Sequence, residues 1–358
     1  MAPARLAVLA VTACLALVRP VPPPDAAAAV DAAVRAEMER QHIPGVAVGV
    51  VQRGTAIVSK GYGLANVEHQ VAVTPDTIFQ SGSLGKMFTA TAVMLLVQDG
   101  KIALTDPIAR FFPGAPATWS TITVRHLLTH TSGIPEYTDG AVDLRRDYTE
   151  EQLAEMAYRL KLDFTPGEKW NYSNTGYVLL GLIIHKASGT FYGDVLAERV
   201  FKPLGMNTTR VISETDIVPH RSAGYTLVKG ELKHQEWVSP SLNTTADGAL
   251  YFSVRDLIAW DAGVRARRIL DAASWSAILS PVRLNDGKTS PYGFGWALGT
   301  RGGQPLYHHG GSWQGFKSHY SRFERGDLSV IVLANLRQAN PEKIVDAIAA
   351  AIDPALAR

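Results

Sequence analysis

The first hundred residues alternate between helical and strand-like spacing of apolar positions. Asp31–Gln41 is amphipathic and is followed by a Pro-Gly pair, which predicts a helix that ends there. Val46–Val51 and Thr55–Tyr62 are apolar runs on either side of a turn at Arg53-Gly54, which predicts two strands. Ser83–Gly100 has helical spacing and a strongly apolar face, so we expect a buried helix capped by its last glycine.

The remaining chain is helical in its middle and richer in strands toward its end. As far as about residue 240 the pattern is mostly helical, and it then predicts strands at Tyr292–Leu298 and Leu328–Ala334 and a terminal helix at Glu342–Ile352. Strands therefore cluster near both termini, which predicts one sheet built from both ends with a mainly helical insertion. We expect an α/β (α+β) fold with a sheet-containing domain at residues 29–80 and 246–358 and a helical domain at residues 81–245.

The N-terminus has the pattern of an export signal. The apolar run Leu6–Val18 follows Arg5 and is too short to cross a bilayer, which takes about 20 residues. Ala26–Ala28 offers small residues for cleavage, so residues 1–28 are predicted to be a signal peptide of a periplasmic or secreted bacterial protein. A lipid anchor at Cys14 is an alternative interpretation, which the continuation of the apolar run beyond Cys14 disfavours.

Composition excludes several classes of protein. The chain has 358 residues, and its 46% of hydrophobic residues excludes a disordered or fibrous protein. The net charge is +2 without a long basic block, so we expect no nucleic-acid partner. Cys14 is the single cysteine, which excludes an intramolecular disulfide and a Cys-x-x-Cys metal site.

A Ser-x-x-Lys motif, Ser83 to Lys86, lies at the start of the second predicted helix. Residues three apart share a helix face, so the amine can reach the hydroxyl. A serine becomes a nucleophile when a neighbouring base takes its proton, and the apolar residues Met87 and Phe88 would desolvate the lysine and favour its basic, neutral form. The same spacing also fits an N-capping serine beside a surface lysine.

A Tyr-x-Asn motif, Tyr172 to Asn174, follows a Pro-Gly turn. A phenol beside an ammonium group is biased toward phenolate and can act as general base or proton relay. The asparagine can hydrogen-bond either the lysine of the first motif or a substrate amide. A buried tyrosine at an ordinary junction between turn and helix would show the same pattern.

The third motif is His309-Gly310-Gly311, followed by Ser312. Glycines in a strand let another backbone approach closely, as an oxyanion hole or an extended substrate requires. The imidazole of His309 can donate to substrate or transfer protons. His308 would point to the opposite face of such a strand. The alternative is a turn between strands with a hydrogen-bonded histidine.

Two further histidines have the spacing of a zinc pair. His126 and His130 are four residues apart, but the glutamate of the His-Glu-x-x-His motif is missing. We therefore expect no metal there, and the chemistry predicted for the three motifs requires no cofactor.

In their order and rough spacing, the three motifs resemble those of the serine beta-lactamase/penicillin-binding-protein superfamily. They look most like its class C and esterase-type branch, the beta-lactamase-related group. Thr77–Ser83, His126–Gly133 and Tyr292–Trp296 resemble the same group, and the resemblance covers about residues 30–350. It implies an antiparallel sheet flanked by helices, a helical domain beside it, and an active site in the groove between them.

The resemblance also implies a role for each motif. Ser83 would be the acylated nucleophile, and Lys86 and Tyr172 would share the duties of base and acid, with the first proton acceptor left open. The implied substrate-binding residues are Asn174, His309 and Gly311, and the implied oxyanion hole consists of the backbone N–H groups of Ser83 and Ser312.

The third motif departs from that of beta-lactamases and transpeptidases, which have Lys-Thr-Gly or Lys-Ser-Gly there. The lysine and hydroxyl of those relatives hold a substrate carboxylate, and a charge-assisted hydrogen bond of about 1.5–3 kcal/mol is lost with them. The histidine variant resembles esterases and aminopeptidase-like members, so ester hydrolysis is the first expectation and small amides the second. Arg301 or Lys317 could supply the missing charge.

Three functions follow from these motifs. The first is an exported serine hydrolase that forms an acyl-enzyme on small esters, amides or peptides. The second is a D,D-peptidase or beta-lactamase that acts on cell-wall peptides or beta-lactams. The third is a penicillin-binding or sensor protein without turnover, which the presence of both Lys86 and Tyr172 disfavours.

Overall fold

The computed structural model describes residues 24–137 and 142–357. Most of the predicted signal peptide, residues 1–23 with Cys14, lies outside the described residues, whereas Ala26–Ala28 lies in the first helix. In the described part of the chain, no helix combines the length and hydropathy that a membrane crossing requires.

The longer strands lie near the two ends of the chain. The strands are β1 (Gly45–Gln52), β2 (Thr55–Asn66), β3 (Val71–Ala72), β4 (Phe79–Gln80), β5 (Arg210–Val211), β6 (Tyr225–Val228), β7 (Glu231–His234), β8 (Leu250–Phe252), β9 (Val282–Arg283), β10 (Thr289–Ser290), β11 (Ala297–Arg301), β12 (Gln304–Trp313), β13 (Phe316–Phe323) and β14 (Leu328–Ala334). Seven of these described strands form an antiparallel sheet in the order β11–β12–β13–β14–β1–β2–β3. Because β1 pairs with β14, one sheet is built from both ends of the chain, as predicted.

Helices cover both faces of this sheet and are the regular elements of the described segment between residues 86 and 204. The helices are α1 (Pro24–Gln41), α2 (Lys86–Gln98), α3 (Val124–Leu128), α4 (Glu150–Tyr158), α5 (Asn174–Ser188), α6 (Tyr192–Leu196), α7 (Lys202–Leu204), α8 (Val254–Arg265), α9 (Ala272–Ile278) and α10 (Pro341–Ile352). The mixed fold with an antiparallel sheet confirms the predicted fold class.

Strand β1 is buried on both faces, which explains its unbroken run of small and branched apolar residues. Its valines at 46, 48 and 50 belong to one buried cluster with residues of α1 and α10. On the other face, a Cβ at Gly49 would lie 2.8 Å from the side chain of Val254 in α8. The sheet is therefore a layer between two sets of helices.

The helical segment joins the sheet through one continuous core. Phe88 of α2 packs against Trp260 of α8 with ring centroids 4.5 Å apart, and both belong to the same buried cluster. Helices α2 and α5 also contact each other. The predicted boundaries at residues 80/81 and 245/246 stay a prediction.

Two predicted elements differ from the structure, and β5, β6 and β7 lie within the segment up to residue 240 that was expected to be mostly helical. The helix predicted from Ser83 begins as a 3₁₀ turn, Gly82–Gly85, and becomes an α-helix only at Lys86. The strand predicted at Tyr292–Leu298 is wrong over most of its length, since β11 begins at Ala297. Its glycines explain this, because Gly295 adopts φ +73° and turns the backbone against α2, where a Cβ would lie 2.6 Å from the carbonyl oxygen of Lys86.

Candidate active site

Ser83 lies in the 3₁₀ turn that precedes α2, and β12 packs directly against this turn. Gly311 makes the approach possible, because a Cβ on it would lie 1.9 Å from the carbonyl oxygen of Ser81. From the other side, Gly82 has φ +51°, and a Cβ on it would lie 2.4 Å from the backbone nitrogen of Ser312. The two glycines thus bring the backbone of Ser312 beside that of Ser83.

Lys86 is fully buried, and its ammonium group is surrounded by oxygen atoms. Its Nζ lies 3.1 Å from Ser83 Oγ and 2.6 Å from Asn174 Oδ1, and it also donates to the backbone carbonyl of Asp247. The predicted i, i+3 contact between serine and lysine is therefore present, although its first residue lies in a 3₁₀ turn.

The three partners of Lys86 differ in what they can accept or donate. Asn174 Oδ1 and the carbonyl of Asp247 only accept, so they hold two N–H groups of the amine. The hydroxyl of Ser83 can either accept the third N–H of an ammonium group or donate to the lone pair of a neutral amine. Lys86 can thus take the serine proton without losing either of the other hydrogen bonds.

Tyr172 lies beside this lysine, just before α5. Lys86 Nζ is 5.0 Å from the centroid of its ring, which is a cation–π distance. The hydroxyl of Tyr172 is buried and has no hydrogen-bond partner within the described residues. Asn174 is the first residue of α5, and its backbone N–H donates to Glu136 at 2.5 Å.

His130 supports the Tyr-x-Asn motif. Its ring packs on that of Tyr172 at 4.3 Å between centroids, and its Nδ1 accepts the N–H of Ser173 at 3.1 Å. Burial and the charge of Lys86 lower the pKa of His130 well below its usual value, so its ring is neutral. His126 uses its own Nδ1 to accept the N–H of Thr123 at the start of α3. Within the described residues, no group of three or more metal-ligating side chains occurs.

His309 is buried, and both of its ring nitrogens have partners within the protein. Nδ1 lies 2.6 Å from the carbonyl oxygen of Gly310, so this nitrogen carries the proton, and Nε2 accepts from the hydroxyl of Tyr292 at 2.9 Å. Burial lowers the pKa of His309 from 6.5 to about 3. The ring therefore holds the backbone of the third motif in place, while its predicted contact with substrate stays a prediction.

The two cations suggested as substitutes for the missing lysine lie in different surroundings. Arg301 forms an ion pair with Asp346 at 3.1 Å and donates to the backbone carbonyl of Leu356, so it joins β11 to the C-terminal segment. Lys317 pairs with Ser312 across the β12–β13 ladder and lines the same groove as Ser83. Only Lys317 of these two is placed to meet a substrate.

Three residues of the site were not predicted from the sequence. Asp247 joins it through the chain segment before β8, and Glu136 and Tyr292 through loops. Tyr292 lies in a segment for which the sequence predicted a strand and a family resemblance, but no role for the tyrosine. The signal for Asp247 is weak, because a single carboxylate in Ala-Asp-Gly is a common pattern in turns.

Comparison with known proteins agrees with this geometry. A model of the family described as Beta-lactamase matches residues 30–353. The chain belongs to the beta-lactamase family. This confirms the resemblance to beta-lactamases and penicillin-binding proteins, a superfamily of serine hydrolases.

Relatives within the beta-lactamase family include peptidases and amidases. The chain is 33% identical over 79% of its length to Penicillin-binding protein 4* of Bacillus subtilis, and 29% identical over 91% of its length to the D-aminopeptidase of Gluconobacter oxydans. It spans 66% and 62% of the length of these two relatives. The crystal structure of D-amino acid amidase from Ochrobactrum anthropi, complexed with L-phenylalanine amide, is 27% identical, with a TM-score of 0.81 over 92% of this chain and 99% of that one.

The close approach of β12 to the serine turn predicts the effect of one methyl group. Gly311→Ala places a Cβ against backbone atoms, so we expect the free energy of unfolding to fall by about 1–3 kcal/mol and activity to fall with it. Gly299→Ala on β11 is the matched control, since its Cβ would lie 3.9 Å from the nearest atom, His308 Nε2. Urea unfolding of both variants tests this, and equal stability of the two would contradict the described packing.

The buried, neutral state of His309 predicts a pH dependence of stability. Its pKa is about 3 in the folded protein and 6.5 without burial, so acidification protonates the unfolded chain first. Between pH 7 and pH 5 we expect protonation of His309 in the unfolded chain to lower the free energy of unfolding by about 2 kcal/mol. His309→Gln lacks this contribution. Urea midpoints at both pH values measure this, and parallel losses in the two proteins would show that His309 titrates normally.

Proposed function

We propose that this protein is a hydrolase that forms an acyl-enzyme on Ser83 and acts on small amides and on the corresponding esters. The observation that carries this proposal is the position of Lys86 Nζ, 3.1 Å from Ser83 Oγ and held there by Asn174 and the carbonyl of Asp247. A turn without a chemical role would not need a fully buried lysine beside its serine.

Lys86 is the first proton acceptor in this proposal. It is in hydrogen-bond contact with Ser83, whereas the hydroxyl of Tyr172 has no such contact with a described residue. As Ser83 Oγ bonds to the carbonyl carbon of the substrate, its proton passes to the amine of Lys86. Tyr172 then relays a proton to the departing amine or alcohol, because a poor leaving group departs only when protonated.

The backbone completes the chemistry. The N–H groups of Ser83 and Ser312 are proposed to stabilise the oxyanion of the tetrahedral intermediate, since the packing of Gly82 and Gly311 brings these two backbones together. A water molecule then attacks the acyl-enzyme, and the same two residues, Lys86 and Tyr172, handle its protons in reverse order.

Small amides take precedence over esters in the proposed substrate class. The peptidase and amidase relatives support this order, and both align with more than nine-tenths of this chain. Amide hydrolysis needs protonation of the leaving nitrogen, which the Lys86–Tyr172 arrangement can supply. Esters with the same acyl group should react as well, because their leaving group is better.

A penicillin-binding activity is the second candidate. The relative Penicillin-binding protein 4* supports it, and so does Lys317, a cation in the groove where a substrate carboxylate would lie. Long-lived acylation of Ser83 by penicillin, without turnover of amides, would favour this candidate.

Export to the periplasm or the medium remains part of the proposal. It is supported by the apolar run Leu6–Val18 and the alanines at 26–28. Mass spectrometry of the intact protein recovered from the periplasm or the culture medium would locate the cleavage site.

The proposal predicts that hydrolysis requires the hydroxyl group of Ser83. Ser83→Ala should lower kcat/KM for a small amino-acid amide and for the matching chromogenic ester by about 10³-fold or more, because no acyl-enzyme can form. Ser120→Ala, which removes an exposed hydroxyl outside both cavities of the site, is the control and should retain full activity.

The variants must have the same folded structure for this test to count. Their urea midpoints and circular dichroism spectra should match those of the parent protein, since Ser83 is only partly buried. Substantial turnover by a folded Ser83→Ala protein would refute the proposed mechanism.

A further inference from the structure

Two cavities meet at the nucleophile. A small recess of about 40 Å³ and an open groove of about 580 Å³ are both lined by Ser83 and Ser312. If the proposed function holds, the scissile carbonyl lies at these two residues, and one half of the substrate extends into each cavity. The inference below rests on that proposed function.

The position of Tyr172 indicates which half of the substrate occupies which cavity. Tyr172 lines the groove but is not among the residues that line the recess, whereas Asn174 lines the recess. Since Tyr172 delivers the proton to the leaving nitrogen in the proposed mechanism, the leaving group lies in the groove. The acyl group therefore occupies the recess.

The acidic residue Asp247 is among the residues that line the recess. Asp247 accepts a hydrogen bond from Tyr137 at 3.0 Å and another from Thr245 at 2.6 Å, and both donors are neutral. Lys86 contacts the backbone carbonyl of Asp247, and the described residues place no cation within ion-pair distance of its side chain. A carboxylate whose two hydrogen-bond donors are both neutral suits an ammonium group on a small acyl unit.

A cation lines the groove. Lys317 is partly buried and lies opposite Ser312 on β13. Within the described part of the chain, its ammonium group has no acidic side chain within 4.0 Å, although Glu342 lines the same groove. Burial and the nearby Arg337 lower its pKa, which indicates an environment that would favour an anion beside it.

We infer that the preferred substrate is a small dipeptide with both ends free, whose amino group meets Asp247 and whose carboxylate meets Lys317. Ser83 Oγ adds to the peptide carbonyl carbon, and the C–N bond breaks when the tetrahedral intermediate collapses to the acyl-enzyme. The proton that left Ser83 ends on the departing amino acid. Water then cleaves the acyl-enzyme, so the products are two free amino acids. The charges at the two ends of the site select for length as well as for charge.

Four substrates with the same scissile bond test this inference. They are alanyl-alanine, its N-acetyl derivative, its C-terminal amide and the doubly blocked form, each as the D,D and the L,L compound. Release of alanine or of its blocked product, followed by mass spectrometry, gives kcat/KM. We expect each block alone to lower kcat/KM about 10- to 100-fold for the reactive enantiomer.

Variants assign the two preferences to their residues. Asp247→Asn should abolish the preference for a free amino group, so that kcat/KM for alanyl-alanine becomes equal to that for its N-acetyl derivative. Lys317→Met should do the same for the free carboxylate and its amide. Tyr137→Phe, which removes a hydrogen bond but keeps the charge of Asp247, should retain the amine preference. Asp216→Asn controls for loss of an exposed carboxylate and should change nothing.

Several results would overturn the inference. Equal kcat/KM for blocked and free dipeptides would do so. An equal loss of kcat/KM for all four substrates in Asp247→Asn would also do so, because it would show that Asp247 has only a structural role. If Glu136→Gln lost the amine preference and Asp247→Asn kept it, the substrate ammonium group would bind at Glu136, on the other side of Asn174. Ser83-dependent turnover of an ester without any dipeptide preference would refute the inference alone, whereas absence of all Ser83-dependent turnover would refute the proposed function.

Discussion

The site depends on a lysine that is buried without an ionic partner. Lys86 Nζ has no carboxylate beside it in the described residues and is held by a hydroxyl, an amide oxygen and a backbone carbonyl. Burying a charge in this way is costly, so the fold must supply these dipoles with good geometry. The same contacts hold the amine within hydrogen-bond distance of Ser83 Oγ, the group whose proton a base must take. One side chain thus serves both the packing and the proposed chemistry.

The rest of the architecture serves to bring the partners of Lys86 together. The hydroxyl of Ser83 comes from the turn before α2, Asn174 from the start of α5, and the carbonyl of Asp247 from the segment before β8. Strand β12 then packs against the serine turn, and its position is fixed by glycine contacts and by the buried His309–Tyr292 hydrogen bond. The sheet, paired between its N-terminal and C-terminal strands, is the frame that holds β12 in register.

Local patterns in the sequence predicted those parts of the molecule that depend on neighbouring residues. The bounds of β14 coincide with the predicted strand Leu328–Ala334, and the cap at Gly100 has the left-handed φ of +70° that the pattern required. The contact of Ser83 with Lys86 follows from their spacing of three residues. The predicted strand at Tyr292–Leu298 was wrong because Gly295 packs against α2. This is a contact between residues distant in sequence, and the local spacing of apolar residues gives no sign of it. Asp247 was missed for the same reason, since it meets Lys86 across 161 positions of sequence.

The central claim is that Ser83 is acylated with Lys86 as the base. A rapid-quench experiment with a chromogenic ester, followed by peptide mapping of the trapped adduct, tests this most directly. The account predicts a burst whose adduct maps to Ser83, and acylation slower by about 10²-fold or more in a folded Lys86→Met variant. An adduct on another residue, or acylation of Lys86→Met at the parent rate, would contradict it.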